Sequence, residues 1–469
     1  MDSLLQILSA INSCISDYVL ITLLVSAGIF FTVKTRFVQI RCFKEGWSHI
    51  FSQFSLHGKN QQGRLSSYQM LTAALAAQIG TGNIVGASGA ILIGGPGAIF
   101  WMWLIAFFGM ATIYAEAVLA QKTRVVDENG TIHGGPVFYI KRAFPNKFGS
   151  FLAVFFAVAI IISLGFMGTM VQANSIGETC RNAFGIPTWT IGIFLVIVSA
   201  IVLIGGVTRL ARMTEKIVPV MVLIFLAGGF IVLAMRIQYL PATFGCIFKY
   251  AFCPDALLGG SLGFALKTAI SQGVKRGLFS NEAGMGSTPH AHAVAHVKRP
   301  HDQGVVAMIG VFIDTGVVLT MTALVVISTL YTGDGPLAHA TGANYQELLA
   351  SAGLTKTNLM QLAVASVSTQ TVGNIFVAVC LLFFAFSTIL SWNYFGKINF
   401  LYLFGKKGVL VYTVLSLCFI FIGSLVKNDL AWELQDMFNQ LMVLPNIIAL
   451  FASAGLVAAS ALNKENPHE

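Results

Sequence analysis

The sequence predicts an all-α polytopic membrane protein, and three observations carry that reading. Hydrophobic residues make up 56% of the 469 positions and charged residues only 10%, against about 25% charged in a soluble domain, and the mean hydropathy is +0.78. Long apolar stretches recur along the chain, and no polar stretch between them is long enough to enclose its own core. Two of the stretches are interrupted by glycine-rich polar breaks, Gly80-Thr81-Gly82-Asn83 and a second from Ser271-Gln272-Gly273 through Gly286. A helix opened inside lipid leaves amides and carbonyls without partners, which is tolerated where they line a cavity or hold an ion or a substrate.

Hydropathy places eleven crossings near residues 17–33, 67–93, 97–121, 151–175, 188–206, 214–235, 257–285, 304–330, 371–395, 409–426 and 437–462. The first follows Asp2 and Asp17 and lacks a basic start or a small-residue cleavage site, so it is expected to stay as a helix. Basic residues are retained on the cytoplasmic side. The connection 34–66 holds Lys34, Arg36, Arg41, Lys44, Lys59 and Arg64, and 122–150 holds Lys122, Arg124, Lys141, Arg142 and Lys147, so both are expected inside. Alternation adds Arg209, Arg212, Lys216, Lys275, Arg276, Lys298, Arg299, Lys397, Lys406, Lys407 and Lys464 to the inner face. It leaves Arg181, Arg236, Lys249, Lys356 and Lys427 outside, with Lys267 inside the seventh span. The N-terminus is then outside and the C-terminus cytoplasmic. The net charge of +9 reads as topology, and no nucleic-acid partner is expected.

The first helix and its basic segment occupy 1–66, and the outer loop 236–256 separates two sets of five spans, 67–235 and 257–462, before a cytoplasmic tail at 463–469. The two sets run in opposite directions and each is headed by a broken helix, the second and the seventh. That is an inverted repeat. Paired half-helices in such an arrangement offer amides and positive helix ends to a carboxylate and free carbonyls to a cation. Gly86, Gly89 and Gly94 are read as packing glycines. Around Gly80 to Asn83, after Gln78, the polar run exceeds what packing needs, and a mid-membrane Asn83 calls for partners that a cation and carbonyls supply.

Other chemistries find little support. The cysteines, Cys14, Cys42, Cys180, Cys246, Cys253, Cys380 and Cys418, form no C-x-x-C pair. Cys246 and Cys253 share a predicted outer loop, but free or buried thiols are the expectation. His290, His292, His296 and His301 follow the seventh span, and only His292 and His296 have i, i+4 spacing. A metal needs more ligands than that, so a solvated cytoplasmic segment is expected. The Gly-x-Gly pieces lack the lysine and hydroxyl residue of a phosphate loop, which argues against an ATP-driven pump. An enzyme would need a nucleophile, base or metal ligands converging at one depth, and no such cluster is visible. The alternative is an eleven-span channel of the ammonium-transporter type, whose path needs mid-membrane histidines. Here all nine histidines fall in loops or at span ends.

The stretch from Gly94-Gly95-Pro96-Gly97 through Trp101-Met102-Trp103 to Phe108-Gly109 resembles the signature of the alanine or glycine:cation symporters. Further likeness lies in Gly80-Thr81-Gly82-Asn83-Ile84, in His133-Gly134-Gly135-Pro136, in Arg276-Gly277-Leu278-Phe279-Ser280-Asn281-Glu282-Ala283-Gly284-Met285-Gly286 and in Ser387-Thr388-Ile389-Leu390-Ser391-Trp392-Asn393-Tyr394-Phe395-Gly396. The resemblance spans residues 66–396. It implies sodium- or proton-coupled uptake of alanine, glycine or a similar small amino acid. It also implies a LeuT-like five-plus-five fold with one extra N-terminal helix, in a prokaryotic plasma (inner) membrane. Sodium is the expected co-transported ion, and no organic cofactor is expected.

By analogy with that fold, Gly80, Thr81 and Gly82 offer amides to a substrate carboxylate, and Gln78, Gln172 and Ser271, Gln272 and Gly273 complete the substrate site. The carbonyls of Ala76 and Ile79, with Asn83, Ser387 and Thr388, make an oxygen cage suited to sodium, and Thr388 borders both sites. The competing reading is that Ser387 and Thr388 bond back to carbonyls of their own helix. Trp392, one turn beyond Thr388, is placed to floor the pocket and limit substrate size, or simply to pack. Gln172 has Thr169 one turn before it. Asp314, beside Thr315, is read as a second cation ligand, a proton carrier or a counter-charge to a substrate ammonium. Glu116 and Arg276 are expected to pair as an inner gate, or to pair structurally.

Overall fold

The computed structural model describes residue 6 and residues 8–12, 15–53, 65–128, 131–203 and 206–462. The described chain is helical almost throughout, with one small antiparallel hairpin, Val125–Val126 against Ile132–His133. Among the described residues six helices are long and apolar enough to cross a bilayer: Ala98–Thr123, Lys147–Phe184, Val207–Met235, Pro300–Tyr331, Gln370–Phe404 and Lys406–Gly423. Two bent pairs, Ser67–Gln78 with Gly82–Gly94 and Asn428–Ala452 with Ala454–Ala461, raise the number to eight if each is one span. The shorter apolar helices Tyr18–Lys34 and Thr188–Leu203 and the more polar Leu262–Asn281 helix occupy three further stretches expected as crossings.

Burial sorts these helices into layers. In the most apolar windows of Ala98–Thr123, Pro300–Tyr331 and Gln370–Phe404, 67% of residues are buried, against 33% in Val207–Met235 and 22% in Lys406–Gly423. The first three therefore form the centre. The outer two present Leu223, Phe230, Leu410 and Val411 as exposed apolar side chains, as a lipid-facing surface requires. Polar side chains gather in the centre, and small residues let the helices approach there. A side chain at Gly273 would strike the Ala98 carbonyl and Trp101, and one at Gly277 would strike Ile105, so the Leu262–Asn281 helix lies tight on Ala98–Thr123.

Both glycine-rich regions depart from regular helix, but not both where expected. The first opens at Ile79 and Gly80, where the Ser67–Gln78 helix stops and the chain bends by 47° into Gly82–Gly94. In the second, the helix runs unbroken through Ser271, Gln272 and Gly273 to Asn281. Its opening comes later, at 282–288, where Glu282 takes a left-handed conformation (φ 57°) and Gly284 and Gly286 have φ of 87° and 80°. Gly273 is a packing glycine; the glycines that permit the turn are Gly284 and Gly286.

Candidate functional site

The two openings meet. Gln78 Nε2 donates to the Asn281 carbonyl at 2.7 Å, and a side chain at Gly82 would press on Ser280 and Phe279. Every residue of this junction is buried, from Gln78, Thr81 and Asn83 to Ser280, Asn281 and Glu282.

At the first opening the Ser67–Gln78 helix ends with unsatisfied carbonyls. Gly80 N–H, which would close the helical bond to the Ala76 carbonyl, donates instead to Asn83 Oδ1 at 3.0 Å. Ala76 O and Ile79 O face the Gln370–Phe404 helix, where Thr388 Oγ1 lies 2.9 and 3.4 Å from them and Ser387 Oγ lies 3.4 Å from Ala76 O. Both hydroxyls also reach the Phe384 carbonyl, at 3.1 Å from Thr388 and 2.9 Å from Ser387. Two hydroxyl protons cannot serve all these contacts at once, so oxygen faces oxygen in an apolar setting. Such a cluster suits a hard cation. One turn away, Ser391 Oγ makes a similar 3.2 Å contact with Ala73 O.

Asn83 is not drawn to this oxygen group. Its carboxamide is taken up by Gly80 N–H on one side and by Asp314 Oδ1, 2.6 Å away, on the other. Asp314 lies in a π-helical stretch, Phe312–Leu319, a widening of the helix frequent at functional sites. Its carboxylate also accepts from Ser280 Oγ at 2.9 Å and Thr315 Oγ1 at 2.8 Å, and Asn281 Nδ2 donates to Thr315. Asp314 thereby ties the two openings together. No Lys or Arg is paired with it among the described residues.

Gln172 lies across from the first opening. Its Oε1 accepts from Thr81 N–H at 3.1 Å, while its Nε2 and the Thr81 hydroxyl, both buried, have no partner among the described residues. Trp392 is buried, edge-on to Phe279 at 5.6 Å between centroids, and lies so close to Gly168 that a side chain there would collide with the ring. Its Nε1 donates to Glu282, which also accepts from Ser287 Oγ. The sequence offered no role for Glu282, Ser280 or Phe279 beyond their place in a motif, because Trp392 and Asp314, which they meet, lie far along the chain.

Two further expectations are corrected. Arg276 does not pair with Glu116: it forms a two-pronged bridge with Asp436 at 3.0 and 2.8 Å and lies over the Trp432 ring. Glu116 instead accepts from the amides of Gly284 and Gly286 at 3.1 and 2.9 Å and from Asn446 Nδ2 at 2.7 Å. It holds the second opening in shape. Ser271 and Gln272, with Lys267, Lys275 and Arg276, line a cleft of about 640 Å³ shared with Lys356, Asp429 and Asp436. Lys275 and Arg276 thus share a cleft with Lys356, which the charge count assigns to the opposite side from them. His290, His292 and His301 are buried, not solvated. His290 bonds Asn399 and the Ser287 carbonyl, and His292 bonds Gln303. Cys246 and Cys253 are free thiols.

Residues 1–465 match the family described as the sodium:alanine symporter family. The sodium/alanine symporter AgcS of Methanococcus maripaludis is 39% identical over 456 residues, covering 97% of this chain and 96% of its own length. The probable sodium/glutamine symporter GlnT of Bacillus subtilis is 36% identical over 454 residues, covering 96% and 89%. The putative sodium/proton-dependent alanine carrier YrbD of the same organism is 38% identical over 460 residues, covering 96% and 90%. Among solved structures, a mutant of the Eremococcus coleocola manganese transporter superposes with a TM-score of 0.53 at 12% identity, covering 82% of this chain and 78% of that one. That likeness is one of fold.

Proposed function

We propose, from the premise that this chain belongs to the sodium:alanine symporter family, that it couples inward sodium flow to uptake of alanine, glycine or a similarly small amino acid. The protein is a multi-pass membrane transporter, and its relatives are named as transporters rather than enzymes. The observation that carries the proposal is the set of oxygens from Ala76, Ile79, Ser387 and Thr388, assembled where the first helix opens. Sodium there counters the negative end of the Ser67–Gln78 helix and uses carbonyls that no amide satisfies.

The substrate carboxylate takes the place of Gln172 Oε1 on the Thr81 amide, and Gln172 turns to offer its free Nε2 to the same group. The amides of Gly80 and Gly82 stand beside it. Trp392, held by Glu282 and the Gly168 cradle, closes the side-chain end of the pocket and favours a methyl group over a longer chain. Asp314 serves as the second charge-balancing group, as a cation ligand or a proton carrier. The eleven crossings, the five-plus-five inverted repeat over 67–235 and 257–462, and an inner-membrane setting with the N-terminus outside complete the reading. Alternating access then moves the two openings relative to the Gln370–Phe404 helix.

Radiolabelled alanine uptake into proteoliposomes, with sodium and pH gradients imposed separately, tests it. Concentrative uptake is expected with an inward sodium gradient alone, with glycine competing better than glutamine. Uptake driven by the pH gradient alone assigns the coupling to protons, and accumulation without either gradient overturns symport.

A further inference from the structure

The histidine segment holds a second arrangement, remote from the junction of the two openings. Cys42 immediately precedes the Phe43–Gln53 helix, Glu45 lies in that helix's first turn, and His49 lies one turn further on. His301 and Asp302 stand in the first turn of Pro300–Val311. One ligand atom from each of Cys42, Glu45 and His301 lies within 4.8 Å of the others, and the same holds for Glu45, His49 and Asp302.

We propose that Cys42, Glu45 and His301 form a binding site for a transition-metal dication of the zinc class, with water in the fourth position. The donor set selects the metal: thiolate with imidazole suits zinc and its neighbours, whereas sodium, magnesium and calcium take oxygen donors. The imidazole is aimed. His301 Nδ1 lies 2.7 Å from the Tyr114 hydroxyl, and its Nε2 points to Glu45 Oε2, 3.4 Å away. An outer hydrogen bond of this kind fixes the ring of a metal-bound histidine. The backbone is also set for close approach, since a side chain at Gly46 would strike the Val305 carbonyl at 2.6 Å. The ligand-bearing helices are therefore in contact before any metal arrives.

Arg299 does not occupy the site. It holds Asp302 through Nε at 3.0 Å and a terminal nitrogen at 2.7 Å, and touches only the other Glu45 oxygen, at 3.3 Å. That leaves Glu45 Oε2 for the metal. Binding displaces the Cys42 thiol proton to solvent through the part-exposed Glu45 side. The bound ion ties the Phe43–Gln53 helix to the Pro300–Val311 helix, which continues into the stretch carrying Asp314.

The full-length protein in detergent, stripped with a chelator, tests this by titration with cobalt(II), then zinc. One equivalent of cobalt is expected to give a thiolate-to-metal charge-transfer band in the near ultraviolet that zinc abolishes. The band should vanish in Cys42→Ser, persist in Cys253→Ser and Cys418→Ser, and need at least about 10-fold more cobalt in His301→Gln. A band unchanged in Cys42→Ser, or absent from the wild type, overturns the site. If Cys42→Ser does not fold, zinc should shield Cys42 of the wild type from maleimide, read by peptide mass spectrometry; equal labelling with and without zinc overturns the proposal.

Discussion

At the residue scale the account turns on how little space surrounds the first opening. A methyl group at Gly80 would collide with Thr388 Oγ1 and come within 3.1 Å of Gln172 Oε1, so Gly80→Ala should abolish alanine uptake while the protein still elutes as one folded species. Substantial uptake by that variant would remove the opening from the transport site. Trp392 combines two contributions, its fit against Phe279 and Gly168 and its bond to Glu282. Trp392→Phe loses the bond together with part of the ring that packs against Gly168, and should cost at least about 1–3 kcal/mol of thermal stability. Trp392→Ala should cost about 3–5 kcal/mol and let larger amino acids compete with alanine; an unchanged competition profile refutes the size-limit role. The oxygens of Ala76, Ile79, Ser387 and Thr388 were readable because the family resemblance placed two short motifs opposite one another. The bond of Asn83 to Asp314 was not legible, since Asp314 stands 231 positions away and no spacing announces it.

At the scale of elements, glycine was an ambiguous signal. Ser271-Gln272-Gly273 looked like a break because it is polar and flexible, yet a glycine facing a neighbouring helix gives the same letters, and Ala98 and Trp101 are that neighbour. The true opening needed positive φ, which Gly284 and Gly286 provide, and it needed an acceptor for their amides, which Glu116 provides from another helix. In Glu116→Gln one carboxylate oxygen becomes an amide donor, so an amide of the opening loses its partner. A loss of about 2 kcal/mol is expected, with Glu116→Ala worse, both read by thermal unfolding in detergent; wild-type stability in both variants would contradict this role. The Arg276–Asp436 bridge closes one side of the cleft beside Trp432. We expect Arg276→Ala and Asp436→Ala each to impair uptake and the charge-swapped pair to recover part of it. Additive losses with no recovery would show that the two residues act separately.

At the scale of the whole molecule, composition and hydropathy were enough to identify a polytopic helical bundle, because burial in lipid demands apolar length and internally satisfied backbone. The centre was not legible in the same way. Its polar groups, Gln78, Gln172, Asp314, Glu116 and Glu282, meet partners brought together only by the fold, and Gln78 Oε1 and Gln172 Nε2 have none among the described residues. The buried histidines make the same point: a polar segment after a span looks solvated, although His290 and His292 are packed among Asn399, Phe395 and Gln303. The central claim is that sodium is bound by the oxygens at the first opening and that this binding drives uptake. Its most direct test is the sodium dependence of alanine uptake into proteoliposomes, at clamped pH, for the wild type, Thr388→Ser and Thr388→Ala. The wild type and Thr388→Ser should concentrate alanine only under an inward sodium gradient, and Thr388→Ala should lose the sodium stimulation. Equal sodium stimulation in Thr388→Ala, or wild-type accumulation with choline replacing sodium, would contradict the account.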